Sequence, residues 1–171
     1  IPRIILAGDY QEAVNTALFY QDIFGLGNFY LEIQDHGMPE EKHVNEGLAA
    51  ISKQTGIPLV ATNDIHYINQ KDASAHDILL CIQTGSVATD EQRLRFPSNE
   101  FYFKSSEEME LLFSRYKESL ENTVRIAEQC NLDFNFGEFH LPGFQIPSGF
   151  TAETYLNHLV RQKLRQKYPK P

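Results

Sequence analysis

The chain has no tryptophan, only two methionines and only two cysteines, Cys81 and Cys130, among its 171 residues. Two thiols are too few for a disulfide framework or a zinc cluster, and they make a reducing cytoplasm the default compartment. No apolar run approaches the roughly 18 residues of a membrane span, so no membrane association is expected. The opening Ile1-Pro2-Arg3 lacks the basic-then-apolar pattern of a signal peptide. It also lacks an initiator methionine, and the sequence reads as a piece of something longer. Positive charge is scarce, 15 Lys and Arg against 23 Asp and Glu for a formal net charge of -8. That balance excludes a chain whose whole surface serves as a phosphate-binding field. The phosphate loop GxxxxGK[ST], the dinucleotide fingerprint GxGxxG, the GxSxG elbow and HExxH are all missing. Nor does a close pair of acids mark a two-metal polymerase or nuclease centre.

What is present is a globular composition, 42% hydrophobic, 12% aromatic and 22% charged, enough for one domain or one and a half. The charge is uneven. After residue 160 come Arg161, Lys163, Arg165, Lys167 and Lys170 with no acid, so an acidic body carries a basic tail. Such a tail reads either as a solvated helix face with a frayed end or as the start of a nucleic-acid-facing segment.

Periodicity predicts a helix over 9–24, with Asp9 as N-cap, Ala13, Ala17, Tyr20 and Phe24 on one face, and Gly25 ending it. The aromatic and branched run 28–34 predicts a strand. A helix over 40–55 follows, closed by Gly56, and the apolar stretch 58–62 predicts a buried parallel strand. A loop then leads to a helix over 71–83 ended by Gly85. Helix, strand, helix, strand, helix contains a βαβ unit, the signature of an α/β fold with a parallel sheet or barrel. Beyond residue 86 the alternation weakens. A short strand is expected at 101–104, a helix opened by the Ser105–Glu108 capping box, and another over 118–130 with Leu120, Val124 and Ala127 aligned. Residues 137–150 form a Gly- and Pro-containing connector. Thr151 then caps a last helix with Leu156, Leu159, Val160 and Leu164 on one side.

The strongest chemical candidate is Asp64-Ile65-His66, where the second strand gives way to its loop. Residues i and i+2 of an extended stretch project to the same side. A carboxylate and an imidazole therefore point together from the C-terminal end of a parallel strand, where ligands collect in α/β folds. Oxygen plus imidazole suits Zn, Mn or Fe and can hold a water-activating ion. The competing reading is a structural Asp64 that caps the next turn. Glu32, alone on its side of the first strand, is either an outer residue supporting that site or a surface carboxylate. His36 could face the same strand ends, although a surface turn is the commoner role for such a residue. His76 is placed to pair with Asp72 one turn earlier. His43 and His158 are expected in solvent, His140 in the connector, Cys81 in the core and Cys130 at a helix end.

The run FYLEIQDHGMPEEKHVNEGLAAISKQTGIPLVATNDIHYINQKDASAHDILLCIQTG resembles the alpha subunits of bacterial DNA polymerase III. The segments RFPSNEFYFKSSEEMELLF and ENTVRIAEQCNLDF and the LPGF connector continue the likeness in order, so it covers nearly the whole chain. VATNDIHY followed by DASAHDILLCIQTG is its most specific part. The resemblance implies the later part of a polymerase-and-histidinol-phosphatase (PHP) domain over 1–136, part of a (β/α)7 barrel. A mostly helical connector and the start of the polymerase palm would fill 137–171. Asp64 and His66 match the family's last metal-ligand motif, which implies a transition metal, Zn or Mn, at the PHP site. Earlier ligands would precede Ile1. The carboxylates that hold catalytic Mg would follow Pro171, so no catalytic polymerase residue is expected here. The implied activity of the complete chain is template-directed DNA synthesis, with DNA, deoxynucleotides, a sliding clamp and a proofreading exonuclease as partners. The PHP domain itself would be a metal-dependent 3'-5' proofreading nuclease or a scaffold. The alternative is a free-standing PHP-type phosphoesterase, against which the helices and connector over 100–171 argue.

Overall fold

Hydrogen-bonding needs at two strand ends organise the larger of the two units seen in the computed structural model, which describes residues 1–168. The units are Ile1–Asn131 and Leu132–Pro171. In the first, β1 (Leu31–Ile33) and β2 (Leu59–Ala61) pair in parallel, with Leu31 opposite Leu59, Glu32 opposite Val60 and Ile33 opposite Ala61. The Leu31 N–H donates to Pro58 O at 2.9 Å and the Thr62 N–H to Ile33 O at 3.1 Å, which closes the ladder at both ends. Helix α3 (Pro39–Thr55) makes the crossover between the strands. The chain leaves α3 through Gly56 at φ 76°, a left-handed position that glycine adopts without steric cost.

The expected βαβ unit is therefore present, and the fold is α/β. Both strands are shorter than expected, three residues each. Among the described residues the sheet has two strands. The strand expected at 101–104 is reduced to a single bridge between Tyr67 and Tyr102. Its neighbours turn away at once, Ser105 into the cap of α5 (Ser106–Leu112) and Asn69 into a tight turn closed by Asp72.

Two helices precede β1. α1 (Pro2–Leu6) is too short to show a period in sequence. α2 (Tyr10–Phe24) starts as expected, with Asp9 Oδ1 accepting the Glu12 N–H at 3.1 Å. α1 lies close on α3: a Cβ at Gly47 would stand 2.8 Å from Ile5 Cγ2, so only glycine permits this approach. The core joins Ile5, Ala13, Val14 and Ala17 to Leu31 and Ile33 on β1, with Leu48, Ile51, Ile57, Ala61 and Phe113. Tyr20 and Phe24, expected inward, are largely exposed and stack on Phe29 at 5.8 and 6.2 Å. α4 (Ala73–Thr84) keeps Leu80 and Cys81 buried but exposes Ile78, Leu79 and Ile82.

The expected face of α6 (Lys117–Gln129) is corrected. Leu120 packs half-buried against the core as expected, but Val124 and Ala127 are exposed, and the helix buries Ser119 and Asn122. The reason is a backbone need: Asn122 Nδ2 donates to the Leu59 carbonyl at 2.7 Å, an edge group of β2 that β1 does not use. A polar residue thus covers the strand edge.

In the second unit, α7 (Ala152–Lys167) opens on Thr151, whose Oγ1 accepts the Thr154 N–H at 3.2 Å. Arg161, Lys163, Arg165 and Lys167 are exposed, as are Leu156, Val160 and Leu164. Lys170 lies outside the described residues. Among these, no helix is long and apolar enough to cross a membrane.

Replacing Asn122 by Ala leaves the Leu59 carbonyl without its donor, a loss of about 1–3 kcal/mol. Amide exchange at 59–62 in the complete protein is expected to accelerate about tenfold or more; an unchanged rate would contradict the edge-covering role.

Candidate functional site

Beyond β2 the backbone is pinned almost residue by residue. Asn63 Nδ2 donates to Tyr102 O at 2.8 Å, the Asp64 N–H to His36 Nε2 at 3.1 Å, and the His66 N–H to Phe101 O at 2.8 Å. Held this way, Asp64 and His66 project together, as their spacing predicts. Asp64 Oδ2 and His66 Nε2 stand 3.1 Å apart, with the side chains 52% and 35% exposed.

The two side chains are thus directly hydrogen-bonded, and an ion shared by both would replace that bond. Two donors on one metal with bonds near 2.1 Å lie roughly 3.0 Å apart in octahedral and 3.4 Å apart in tetrahedral coordination. A carboxylate oxygen with an imidazole nitrogen is a donor set for Zn or Mn. Among the described residues no group of three His, Cys, Asp or Glu side chains is gathered to hold an ion. The pair offers one carboxylate oxygen and one imidazole nitrogen.

The His66 ring packs against Phe96 at 4.5 Å, His76 at 5.6 Å and Phe101 at 5.9 Å. His76 does not pair with Asp72, which instead accepts from the Asn69 N–H and Nδ2 at 3.0 and 2.9 Å. Glu32 is exposed and accepts from Thr62 Oγ1 at 2.5 Å and Gln34 Nε2 at 3.5 Å. It touches the strand that carries Asp64, not the pair itself. Cys130 is exposed at the end of α6, while His43, His140 and His158 are exposed.

His36 is not the surface turn that its type suggests. It is 1% exposed. Its Nδ1 lies 2.8 Å from Glu41 Oε1, and its ring stacks on Phe101 at 4.3 Å and 5°. The signal was in the sequence: Pro39 in the first turn of α3 makes Met38 the N-cap and Glu41 the third residue, whose carboxylate folds back on the preceding loop.

A second overlooked contact fixes the segment that carries Phe96. Arg93 Nη1 and Nη2 each donate to an Asp77 carboxylate oxygen at 2.5 Å, spanning from α4. Ser98 Oγ donates to His36 O at 2.7 Å. Phe96 therefore sits between two anchors, one on α4 and one on the His36 loop.

The first unit is thus an α/β unit whose parallel strand end carries an Asp–His pair, with a buried second histidine bonded to the same loop. No family model matches the chain. It is 48% identical over 171 residues to DNA polymerase III subunit alpha of Borreliella burgdorferi, covering 98% of this chain and 15% of that protein. With the protein of the same name from Treponema pallidum it shares 46% over 169 residues, 98% of this chain and 14% of the relative. With that of Bacillus subtilis it shares 34% over 171 residues, 100% and 15%. The chain is homologous to one segment of bacterial DNA polymerase III alpha subunits, as the resemblance implied, and spans about one-seventh of their length.

Hydrogen bonding from Arg93 holds the Asp77 carboxyl below its ordinary value of 3.8. A carboxylate lowered in the folded state stabilises fully above its unfolded value and loses that effect as pH falls through the folded one. The 87–99 segment is thus clamped at neutral pH and loosens below pH ~4. Asp77→Asn should reproduce the loosening at neutral pH, read as faster amide exchange over 87–99; full protection in that variant would contradict the clamp.

Proposed function

We propose that the chain is part of a replicative DNA polymerase, whose complete form joins deoxynucleotides on a template with Mg held by carboxylates outside this segment. The observation that carries this reading is the 48% identity to a polymerase alpha subunit across 98% of the chain. Residues 1–136 then form the later part of a PHP-type (β/α)7 barrel, and 137–171 the connector and approach to the palm. The β1–α3–β2 unit supports the barrel reading, as do the exposed apolar Phe19 and Ile23 on α2 and Leu79 and Ile82 on α4, surfaces suited to cover by further barrel elements. DNA, deoxynucleotides, a sliding clamp and a proofreading exonuclease are the partners this assigns, in the cytoplasm.

Within the barrel, Asp64 and His66 hold a transition metal, Zn or Mn. Such an ion supplies an activated water for attack on a phosphoester. The chain's own residues orient that site: Asp64 provides a fixed carboxylate oxygen, His66 an imidazole steadied by Phe96 and Phe101, and Glu32 supports the strand through Thr62. An intact pair suits a metal-dependent 3'-5' exonuclease better than a purely structural domain.

Asp64→Ala in the complete protein should lower the bound transition metal measured by elemental mass spectrometry, while primer extension persists. Unchanged metal content would contradict the ligand assignment.

A further inference from the structure

His36 is chemically constrained on every side. Its Nε2 faces the Asp64 N–H at 3.1 Å. A backbone N–H only donates, so Nε2 carries no proton and the imidazole is neutral with its hydrogen on Nδ1. That hydrogen is donated to Glu41 Oε1 at 2.8 Å. Glu41 Oε2 accepts the His36 N–H at 2.7 Å and the Met38 N–H at 3.2 Å, so one carboxylate gathers three donors. Glu41 is the third residue of α3, so a 17-residue helix fixes the position of the imidazole.

The ring is also half of a mount. It lies parallel to Phe101, and the Phe101 carbonyl accepts the His66 N–H at 2.8 Å. The stacked His36–Phe101 pair therefore grips both residues of the Asp–His motif by their backbones, His36 taking Asp64 and Phe101 taking His66. Burying an imidazole and tying up a carboxylate is a costly way to satisfy one exposed loop's N–H, since water would do so. What the arrangement adds is direction: it fixes the peptide from which the Asp64 carboxylate projects.

We propose that His36, locked in its Nδ1–H tautomer by Glu41, is a positioning residue that sets Asp64 for metal binding. The inference rests on the reading of Asp64 and His66 as ligands. It adds a lever that runs from the first turn of α3 through the loop after β1 to the end of β2. Removing such outer support typically weakens metal binding about 10–100-fold.

Glu41→Gln tests the relay without changing shape. If its oxygen faces His36 Nδ1–H, its NH2 meets the His36 and Met38 N–H groups. If it turns, its NH2 forces the ring proton onto Nε2, against the Asp64 N–H. Either way two donors confront each other. His36→Phe keeps the stacking on Phe101 but removes the acceptor. His36→Gln restores it, its side-chain oxygen facing Asp64 and its NH2 facing Glu41.

The experiment is equilibrium dialysis of the complete protein against Zn(II), together with the visible spectrum of the Co(II)-substituted form. Glu41→Gln and His36→Phe should bind Zn(II) about 10–100-fold more weakly and shift the cobalt bands, and His36→Gln should recover most of the affinity. If His36→Phe is poorly folded, Glu41→Gln decides. Native affinity and an unchanged cobalt spectrum in Glu41→Gln, with Asp64→Ala abolishing binding, would overturn the positioning role and leave the ligand reading standing. Full Zn(II) binding in Asp64→Ala would instead overturn both.

Discussion

The N–H of Asp64 must find an acceptor where β2 ends, and the acceptor it finds is a buried imidazole rather than water. Much of the surrounding structure follows from that one bond. Nε2 must offer its lone pair, and Glu41 on the other nitrogen holds the ring hydrogen there. Glu41 must sit in the first turn of α3, which sets how the β1 loop enters that helix. The ring must be covered, which Phe101 does by stacking, and the loop bearing Phe101 then returns its carbonyl to His66. The Asp–His pair is consequently held together, its carboxylate oxygen and ring nitrogen in hydrogen-bond contact.

The rest of the first unit keeps this strand end in place. Three-residue strands make few ladder bonds, so β2 depends on its flanks. Asn122 closes its outer edge and the buried set from α1, α2 and α3 packs on the sheet. The Arg93–Asp77 clamp brings Phe96 against His66 from the far side. Clamp, edge cover and relay all join polar side chains to specific partners in a unit with a small apolar core.

Helix and strand order was legible in the sequence because it rests on local signals. Asp9, Ser105 and Thr151 cap the helices they were expected to cap, and Gly25, Gly56 and Gly85 end theirs. The Asp64–His66 pairing was legible for the same reason, since alternation along an extended chain is local. What escaped were contacts between distant residues. His36 and Asp64 are 28 positions apart, Asp77 and Arg93 16, and Asn122 and Leu59 63. No periodicity announces such partners. α6 shows the limit most clearly: of Leu120, Val124 and Ala127, which its apolar spacing indicated, Leu120 alone packs on the core, and the carbonyl the helix must satisfy turns Ser119 and Asn122 inward. α1 escaped because five residues hold too little pattern.

The homology to polymerase alpha subunits locates this segment within much longer proteins, and the local chemistry concerns one strand end of it. Anomalous scattering from crystals of the complete protein grown with Mn(II) or Zn(II) tests that chemistry most directly. The account predicts a peak about 2.0–2.2 Å from both Asp64 Oδ2 and His66 Nε2, with His36 Nε2 still accepting the Asp64 N–H. No peak at that position, with Asp64 Oδ2 and His66 Nε2 still hydrogen-bonded to each other as they are in this structure, would contradict the account.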